Sequence, residues 1–273
     1  MPPRPLRRVR RLVPALLAVI AVFQASEVRA NYIIDLTAAT SPVTYQQSIF
    51  AQSSQQPTGT GVFNPFVRIQ MNGTEAGYNT DARPVEFQTK DQNQWTHSLP
   101  LNTLQSVNIN GTAYYQFTLD INEQGNANSL LSMNDFRVYL GNSGSLTGFN
   151  DGFGANSVKV YDIDAGQRGN TRVDLNAALN PPGSGVADLN VYIPVSKFQG
   201  FGSQYGYVYL YSKFGTPYVS GAGFEEWSSL NKASSSPPPP SGSVPAPGGL
   251  LLGLIGAGCF LGRRLRRQLP ASA

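Results

Sequence analysis

Hydrophobic and polar residues alternate along much of the chain between residues 31 and 230. In residues 115–122 every second residue is apolar, and the residues between them are polar. A period of two is typical of a β-strand that buries one face and leaves the other in water. Residues 107–109 show the same tendency, and the pair Asn110-Gly111 separates the two segments. Because Asn and Gly tolerate a positive φ, this arrangement predicts a β-hairpin.

Further segments with short apolar runs, bounded by Gly, Pro, Asn or Asp, are also predicted to be strands. They are residues 33–36, 43–50, 66–71, 94–99, 136–140, 158–163, 172–175, 189–193, 205–211 and 224–227. At most one short helical turn, near residues 129–134, is expected, and no internal repeat indicates a propeller or a solenoid. Many short strands joined by turns predict an all-β fold, an antiparallel β-sandwich of jelly-roll-like topology over residues 31–230.

Composition agrees with a single folded body. Of the 273 residues, 41% are hydrophobic and 13% are charged, whereas about 25% is the usual charged share of a globular protein. The 28 Gly and 20 Pro are spread without a Gly-X-Y period. This pattern excludes collagen and argues against a helical bundle.

The net charge of +4 comes from the two ends of the chain. Ten of the 20 basic residues lie in residues 1–30 and 263–267, whereas residues 31–247 hold ten basic and fifteen acidic residues, a net charge of −5. The folded body is therefore acidic. A nucleic-acid partner recognised through a basic surface is excluded on this ground.

The N-terminal segment has the three parts of a secretory signal peptide. An Arg-rich start is followed by the apolar run 12–23 and by the small residue Ala30. Cleavage by signal peptidase after Ala30 would leave Asn31 as the first residue. A retained anchor is the alternative for this predicted helix, but twelve residues of helix span about 18 Å, short of the roughly 30 Å of a bilayer core.

The C-terminal segment also has the composition of a targeting segment. A Ser/Pro-rich linker, residues 231–243, precedes the short motif Val244-Pro245-Ala246-Pro247, and residues 248–262 are apolar or small. The basic residues Arg263, Arg264, Arg266 and Arg267 follow directly. This order predicts a short transmembrane helix over residues 248–262 with a stop-transfer cluster facing the cytoplasm. A permanent tail anchor and a signal that is later removed are both consistent with the pattern.

The order of spacer, Pro-x-Pro motif, Gly/Leu-rich segment and Arg cluster, over residues 244–269, resembles the PEP-CTERM sorting signal of exported bacterial proteins. Ala246 stands where that family usually has Glu. The resemblance implies that an exosortase cleaves near the motif, often in cells that make exopolysaccharide and biofilm. It implies a precursor anchored in the inner membrane and a product at the cell surface or outside the cell. Residues 59–81, 119–140 and 191–227 resemble a domain found ahead of such signals, with no enzymatic activity implied.

Few residues of the body suit catalysis. The lone Cys259 lies in the apolar tail, so the body has no thiol or disulfide, and His97 is the lone histidine. A packed or surface imidazole is favoured for His97 over a catalytic one. The adjacent Glu225 and Glu226 point to opposite faces of a strand, so they cannot act as a glycosidase pair. The other glutamates that are candidate catalytic acids lie in loop-like segments without a catalytic motif around them. They are Glu75, Glu86 and Glu123. A non-enzymatic protein is predicted.

Structural calcium is the one cofactor for which the sequence offers candidates. Residues 120–125 begin like an EF-hand loop, but position twelve is Leu131 where a bidentate Glu is required, so that motif fails. A looser alternative groups Asp162 and Asp164 with Asp151 from a neighbouring loop.

Several predicted strands turn tyrosines away from their aliphatic faces. They are Tyr139, Tyr161, Tyr192, Tyr207, Tyr209 and Tyr211. In a shared sheet they would form a flat surface for stacking sugar rings. A covering loop or strand that buries them is the alternative.

Together these features predict a non-catalytic exported surface or matrix protein, associated with exopolysaccharide. A carbohydrate-binding module that uses the tyrosines is the alternative, followed by a polysaccharide-degrading enzyme.

Overall fold

The computed structural model describes residue 1 and residues 32–53, 64–123, 129–166, 168–180, 186–221 and 223–231. The predicted signal helix, the linker and the predicted C-terminal transmembrane helix lie outside these ranges. No helix within the ranges is long and apolar enough to cross a membrane.

The described chain is all-β, and its helical pieces are short 3-10 turns. The strands in these ranges are β1 (Tyr32–Leu36), β2 (Val43–Tyr45), β3 (Ser48–Gln52), β4 (Pro65–Ile69), β5 (Asn72–Gly73), β6 (Glu75–Tyr78), β7 (Leu99–Pro100), β8 (Ser106–Ile109), β9 (Thr112–Ile121), β10 (Leu130–Gly141), β11 (Ser157–Asp162), β12 (Thr171–Asn176), β13 (Leu189–Pro194), β14 (Tyr207–Phe214), β15 (Ser220–Gly221) and β16 (Glu225–Ser229). The 3-10 turns are Leu101–Thr103, Gly154–Asn156, Ala177–Leu179 and Val195–Phe198.

These strands form two seven-stranded sheets and one small pair. The first sheet has the order β1-β12-β10-β14-β6, with β11 also on β10 and β7 also on β14. The second sheet has the order β2-β3-β13-β9-β16-β4, with β8 also on β9, and β15 pairs with β5. Every described pairing is antiparallel except that of β1 with β12, which is parallel.

The two large sheets share one hydrophobic core. Phe136 on β10 and Trp227 on β16 lie with ring centroids 5.1 Å apart, and both side chains are fully buried. The indole Nε1 of Trp227 donates a hydrogen bond to Ser212 Oγ on β14 at 3.0 Å. Each fully buried aromatic or aliphatic side chain contributes about 1.5–3 kcal/mol of transfer free energy. The alternating faces predicted from the sequence therefore meet between the sheets.

The local predictions have mixed outcomes. The hairpin is confirmed: β8 and β9 are joined by Asn110 and Gly111, whose φ angles are 51° and 85°. The single strand predicted over residues 43–50 is wrong, because Gln46 and Gln47 adopt positive φ and turn β2 back onto β3. The expectation of a wholly antiparallel sheet is corrected by the β1–β12 pair.

Two other segments were predicted wrongly. Residues 129–134 do not form a helical turn. Residues 130–133 belong to β10 and pair with β12, and this long-range pairing outweighs the weak local preference of Ser and Asn for turns. Residues 94 and 95 lie in a turn, residue 96 lies in a bend, and residues 97 and 98 have no regular secondary structure. Leu99 alone of the predicted strand 94–99 belongs to β7.

Candidate functional site

The outer face of the first sheet gathers the tyrosines that the alternation of β10 and β14 places together. Tyr139 lies opposite Tyr209 across the β10–β14 pair, and Tyr211 lies opposite Tyr78 across the β14–β6 pair. With Ala76 and Phe153 they form a second buried cluster, called here the aromatic cluster. The prediction that Tyr139, Tyr209 and Tyr211 share a face is therefore confirmed.

That face is not accessible. Residues 142–156, called here the covering loop, place Phe149 and Phe153 on it, with ring centroids 4.5 Å from Tyr211 and 4.7 Å from Tyr209. Tyr139 and Tyr209 are each 1% exposed, and Tyr211 is 8% exposed. The prediction that these three tyrosines form an accessible surface for stacking sugar rings is therefore wrong. The alternative, that a loop covers them, is confirmed.

The hydroxyl groups beneath the loop are used internally. Tyr209 donates to the carbonyl of Ser143 at 2.7 Å and accepts from the Leu146 amide at 2.9 Å. Tyr139 donates to Asp151 at 3.0 Å. Burial raises the pKa of Tyr209 to about 12. These phenols are neutral structural groups.

Glu86 ties the covering loop to the sheet. Its Oε1 accepts from the Gly148 amide at 2.8 Å, and its Oε2 accepts from the Phe149 amide at 3.1 Å and from Tyr78 at 2.7 Å. Burial acts to raise the pKa of Glu86, but the hydrogen bonds from Tyr78, Gly148 and Phe149 outweigh it and lower the pKa. The ionised carboxylate is the form that holds the loop.

Of the other three predicted tyrosines, Tyr207 lies on this face, as predicted, whereas Tyr161 and Tyr192 do not. Tyr161 is 3% exposed and faces the main core, so its outward orientation is wrong. The pairing of β10 with β11 shifts between Val138, which lies opposite Tyr161, and Tyr139, which lies opposite Lys159. A one-residue shift reverses the face of every later side chain. Tyr207 is half-buried beside the aromatic cluster, and Tyr192 is half-buried in the second sheet.

Aspartates next to this region form a group of oxygen donors able to hold a metal ion. Oxygen atoms of Asp135, Asp162 and Asp164 all lie within 4.8 Å of one another. The predicted association of Asp162 with Asp164 is present, but the third member is Asp135 in place of Asp151. We call these three residues the aspartate cluster.

Two bases neutralise part of the aspartate cluster. Lys159 Nζ contacts Asp162 at 2.9 Å and Asp151 at 2.6 Å, and Arg137 contacts Asp135 at 2.7 Å. Burial, partly offset by the charge of Arg137, raises the pKa of Asp135 to about 6. Asp151 therefore belongs to an ion-pair network beside the cluster.

An open cleft of about 420 Å³ lies over one side of the aspartate cluster. Its lining includes Asn134, Asp135, Asp164, Asn170, Arg172 and Lys213. The cleft therefore presents amide, carboxylate, guanidinium and ammonium groups together.

The glutamates of β16 diverge as predicted. Glu226 forms an ion pair with Arg68 at 2.5 Å, and the Arg68 guanidinium lies 3.7 Å from the centre of the Trp95 ring. Glu225, on the other face, contacts Glu75 of β6. Both β16 glutamates are at most 3% exposed. No local sequence signal indicates the Glu75–Glu225 contact, because the two residues are distant in the chain.

His97 is half-buried, and its Nδ1 donates to the carbonyl of the adjacent Ser98 at 2.9 Å. This position agrees with the interpretation of His97 as a packed residue.

The residues predicted to direct export and sorting lie outside the described residues. They are the cleavage residues Ala30 and Asn31, the motif residues Val244, Pro245, Ala246 and Pro247, and the basic residues Arg263, Arg264, Arg266 and Arg267. No protein-family model, curated protein or solved structure matches the chain.

Proposed function

We propose that the chain is an exported, non-catalytic β-sandwich of jelly-roll-like topology, sorted by an exosortase to the cell surface or the extracellular matrix. The observation that carries this proposal is that the described strands begin and end next to two segments predicted from the sequence to be addressing signals. The first strand begins at Tyr32, directly after the predicted cleavage between Ala30 and Asn31. The last strand ends at Ser229, and Asn231 still bridges to Leu104. The first and last described strands thus lie close to the two predicted ends of the ectodomain.

The use of polar groups inside the body supports a structural role. Glu86 anchors the covering loop, and the hydroxyl groups of Tyr139 and Tyr209 donate hydrogen bonds to it from beneath. The Glu75–Glu225 contact is fully buried, so a polymer substrate does not reach it. These groups hold the sheets and the loop together.

Intact mass spectrometry of the native protein, combined with cell fractionation, tests the proposal. We expect a product that begins at Asn31, lacks the segment after Pro245-Ala246-Pro247, and is found at the surface or in the medium. An exosortase-deficient strain is the control and should keep a membrane-bound species that retains the Arg cluster. The same species in cells with active exosortase would overturn the proposal.

The open cleft supports carbohydrate binding as a second candidate function. Sugar hydroxyl groups are recognised by amide, carboxylate and basic side chains placed together, and the cleft holds all three. A calcium ion held by Asp135, Asp162 and Asp164 could accept sugar hydroxyl oxygens as further ligands. We expect Lys213→Ala to weaken retention on the cell's own exopolysaccharide, whereas Lys197→Ala, away from the cleft lining, should leave it unchanged. Equal retention of both variants and the parent would exclude this role for the cleft.

A further inference from the structure

The turn between β8 and β9 places an asparagine followed by a glycine at the tip of the hairpin. Asn110 and Gly111 have φ angles of 51° and 85°, both in the left-handed region. Both residues are exposed, and so are the nearby Asn108 and Thr112. A Cβ placed on Gly111 meets nothing within 4 Å. The Asn-Gly pair therefore projects into solvent.

An exposed Asn-Gly pair reacts with itself without an enzyme. The backbone nitrogen of the glycine, once it has lost its proton, attacks Cγ of the asparagine side chain and forms a new C–N bond. The bond from Cγ to the side-chain nitrogen then breaks, and ammonia leaves a five-membered succinimide behind. Water adds to one of the two ring carbonyls and opens the ring to aspartate or isoaspartate. Glycine favours the first step, because it has no Cβ to shield its nitrogen.

The side chain of Asn110 is available for this reaction. Within the described part of the chain it makes no hydrogen bond. By contrast, the buried Asn79 donates to the carbonyl of Val208 at 2.8 Å and accepts from the amide of Leu210 at 2.7 Å. Rotation of the Asn79 side chain would break both bonds, whereas rotation of Asn110 breaks none. Cγ of Asn110 is therefore free to turn towards the nitrogen of Gly111.

The attacking nitrogen, however, is held by a neighbouring side chain. The amide of Gly111 donates a hydrogen bond to Oδ1 of Asn108 at 2.9 Å. This bond must break before the amide gives up its proton to solvent. Asn108 lies on β8 opposite Ala113 of β9, so the pairing of the hairpin keeps its side chain beside the turn. Asn108 thus opposes the first step of the reaction.

We propose that Asn110 is a site of spontaneous deamidation, and that Asn108 is a protecting residue that slows the reaction. The reaction requires water alone, so the proposal is independent of export and sorting. Its product carries one additional negative charge, and isoaspartate adds one carbon atom to the backbone of the turn. Ile109 and Thr112 pair directly across the turn, so this extra atom disturbs their register. Among the described strands β8 pairs with β9 alone, so the change is confined to that edge.

A second Asn-Gly pair provides an internal comparison. Asn72 is exposed, Gly73 has a φ of 95°, and a threonine follows, as it does after Gly111. This pair lies in β5 and pairs with β15. Among the described residues no side chain accepts a hydrogen bond from the Gly73 amide. A change at Asn108 therefore alters the surroundings of Asn110 and leaves those of Asn72 as they are.

The test follows deamidation at both pairs in the purified full-length protein during incubation at mildly alkaline pH. Digestion at acidic pH and mass spectrometry measure the replacement of NH₂ by OH at each asparagine, and electron-transfer fragmentation separates isoaspartate from aspartate. We expect Asn108→Ala to raise the rate at Asn110 by about three- to tenfold, because one ordinary hydrogen bond no longer opposes the reaction. The rate at Asn72 should not change. Asn108→Asp keeps an acceptor oxygen at the same place, so its rate at Asn110 should stay close to that of the parent.

Four results would overturn the proposal. The first is that Asn110 stays intact in both the parent and Asn108→Ala, and the second is that these two proteins react at the same rate. The third is an equal rise at Asn110 and Asn72, which would reflect loosening of the whole fold. The fourth is a rate in Asn108→Asp as high as that in Asn108→Ala, which would exclude the hydrogen bond as the cause. All four are measured on purified protein, so they are distinct from a failure of processing in cells.

Discussion

Phe149 stacks on Tyr211 with ring centroids 4.5 Å apart and ring planes 13° from parallel. Phe149 belongs to the covering loop, whereas Tyr211 belongs to β14 of the first sheet. The same phenylalanine also lies 5.5 Å from Tyr78 and 5.7 Å from Tyr139. One side chain of the loop therefore contacts all three strands that carry the aromatic cluster.

Truncation of this side chain should loosen the loop. We expect Phe149→Ala to lower the free energy of unfolding by about 2–4 kcal/mol, because it removes half-buried apolar surface and leaves a gap over the tyrosines. Urea denaturation followed by tryptophan fluorescence measures the change. Phe201→Ala is the control: Phe201 is 39% exposed, so its loss should cost under about 1 kcal/mol. Equal stability of the two variants would show that the loop does not depend on Phe149.

The stabilisation of the covering loop by Glu86 should depend on the negative charge of its carboxylate. Glu86→Gln is expected to lower the free energy of unfolding by about 1 kcal/mol at pH 7, since one carboxylate oxygen that accepts from an amide is replaced by an NH₂ group. The pKa of Glu86 is lowered in the folded protein, so its stabilisation is present above the unfolded pKa and disappears as pH falls through the folded value. The difference between variant and parent should therefore shrink in acid. A difference that stays constant with pH would contradict a role for the charge. Hydrogen exchange at Gly148 and Phe149 provides a local measurement.

Asp188 should give stability the opposite pH dependence. It accepts from the Ile121 amide and from the Asn180 side chain, both at 2.8 Å, and burial raises its pKa to about 7. The folded state therefore holds a proton that the unfolded state releases near pH 4, and stability should fall between about pH 4 and pH 7. Each pKa unit is worth at most about 1.4 kcal/mol.

Asp188→Asn tests this assignment. The slope of unfolding free energy against pH should be shallower in the variant, although the lost acceptor lowers stability at every pH. Asp91→Asn is the control, since the Asp91 side chain is 59% exposed and should leave the slope unchanged. Identical slopes for Asp188→Asn and the parent would contradict the buried proton.

The hairpin turn should depend on backbone conformation alone. Gly111 has a φ of 85°, and a Cβ placed on it meets nothing within 4 Å. Gly111→Ala should therefore lower stability by about 1 kcal/mol through backbone strain. Gly206 also has open space around its Cβ position but lacks a positive φ, so Gly206→Ala should be neutral or stabilising. Thermal unfolding of both variants checks the difference, and equal melting temperatures would contradict it.

The sequence predicts the sheets better than it predicts what lies on them. Alternation places Phe117 and Leu119 in the core, and the Asn110-Gly111 pair marks the turn. The orientation of Tyr161 does not follow from alternation, because the shift opposite Val138 and Tyr139 depends on the partner strand. The sequence does not predict the covering loop either, since Phe149 lies in a Gly-rich stretch with no strand or helix period. The contact between Glu75 and Glu225 requires strands distant in the chain to come together, so local patterns contain no sign of it.

The pairing of β1 with β12 has a counterpart in other early strands. β3 pairs with β13, β6 with β14, and β4 with β16. The pairing partners of these early strands thus lie in the last part of the body, and such non-local pairing slows folding. A chain threaded through a membrane from its N-terminus would leave the first sheet incomplete until β14 had crossed and the second sheet incomplete until β16 had crossed. The topology itself would then keep the polypeptide unfolded during transport and delay folding until the body had reached the far side.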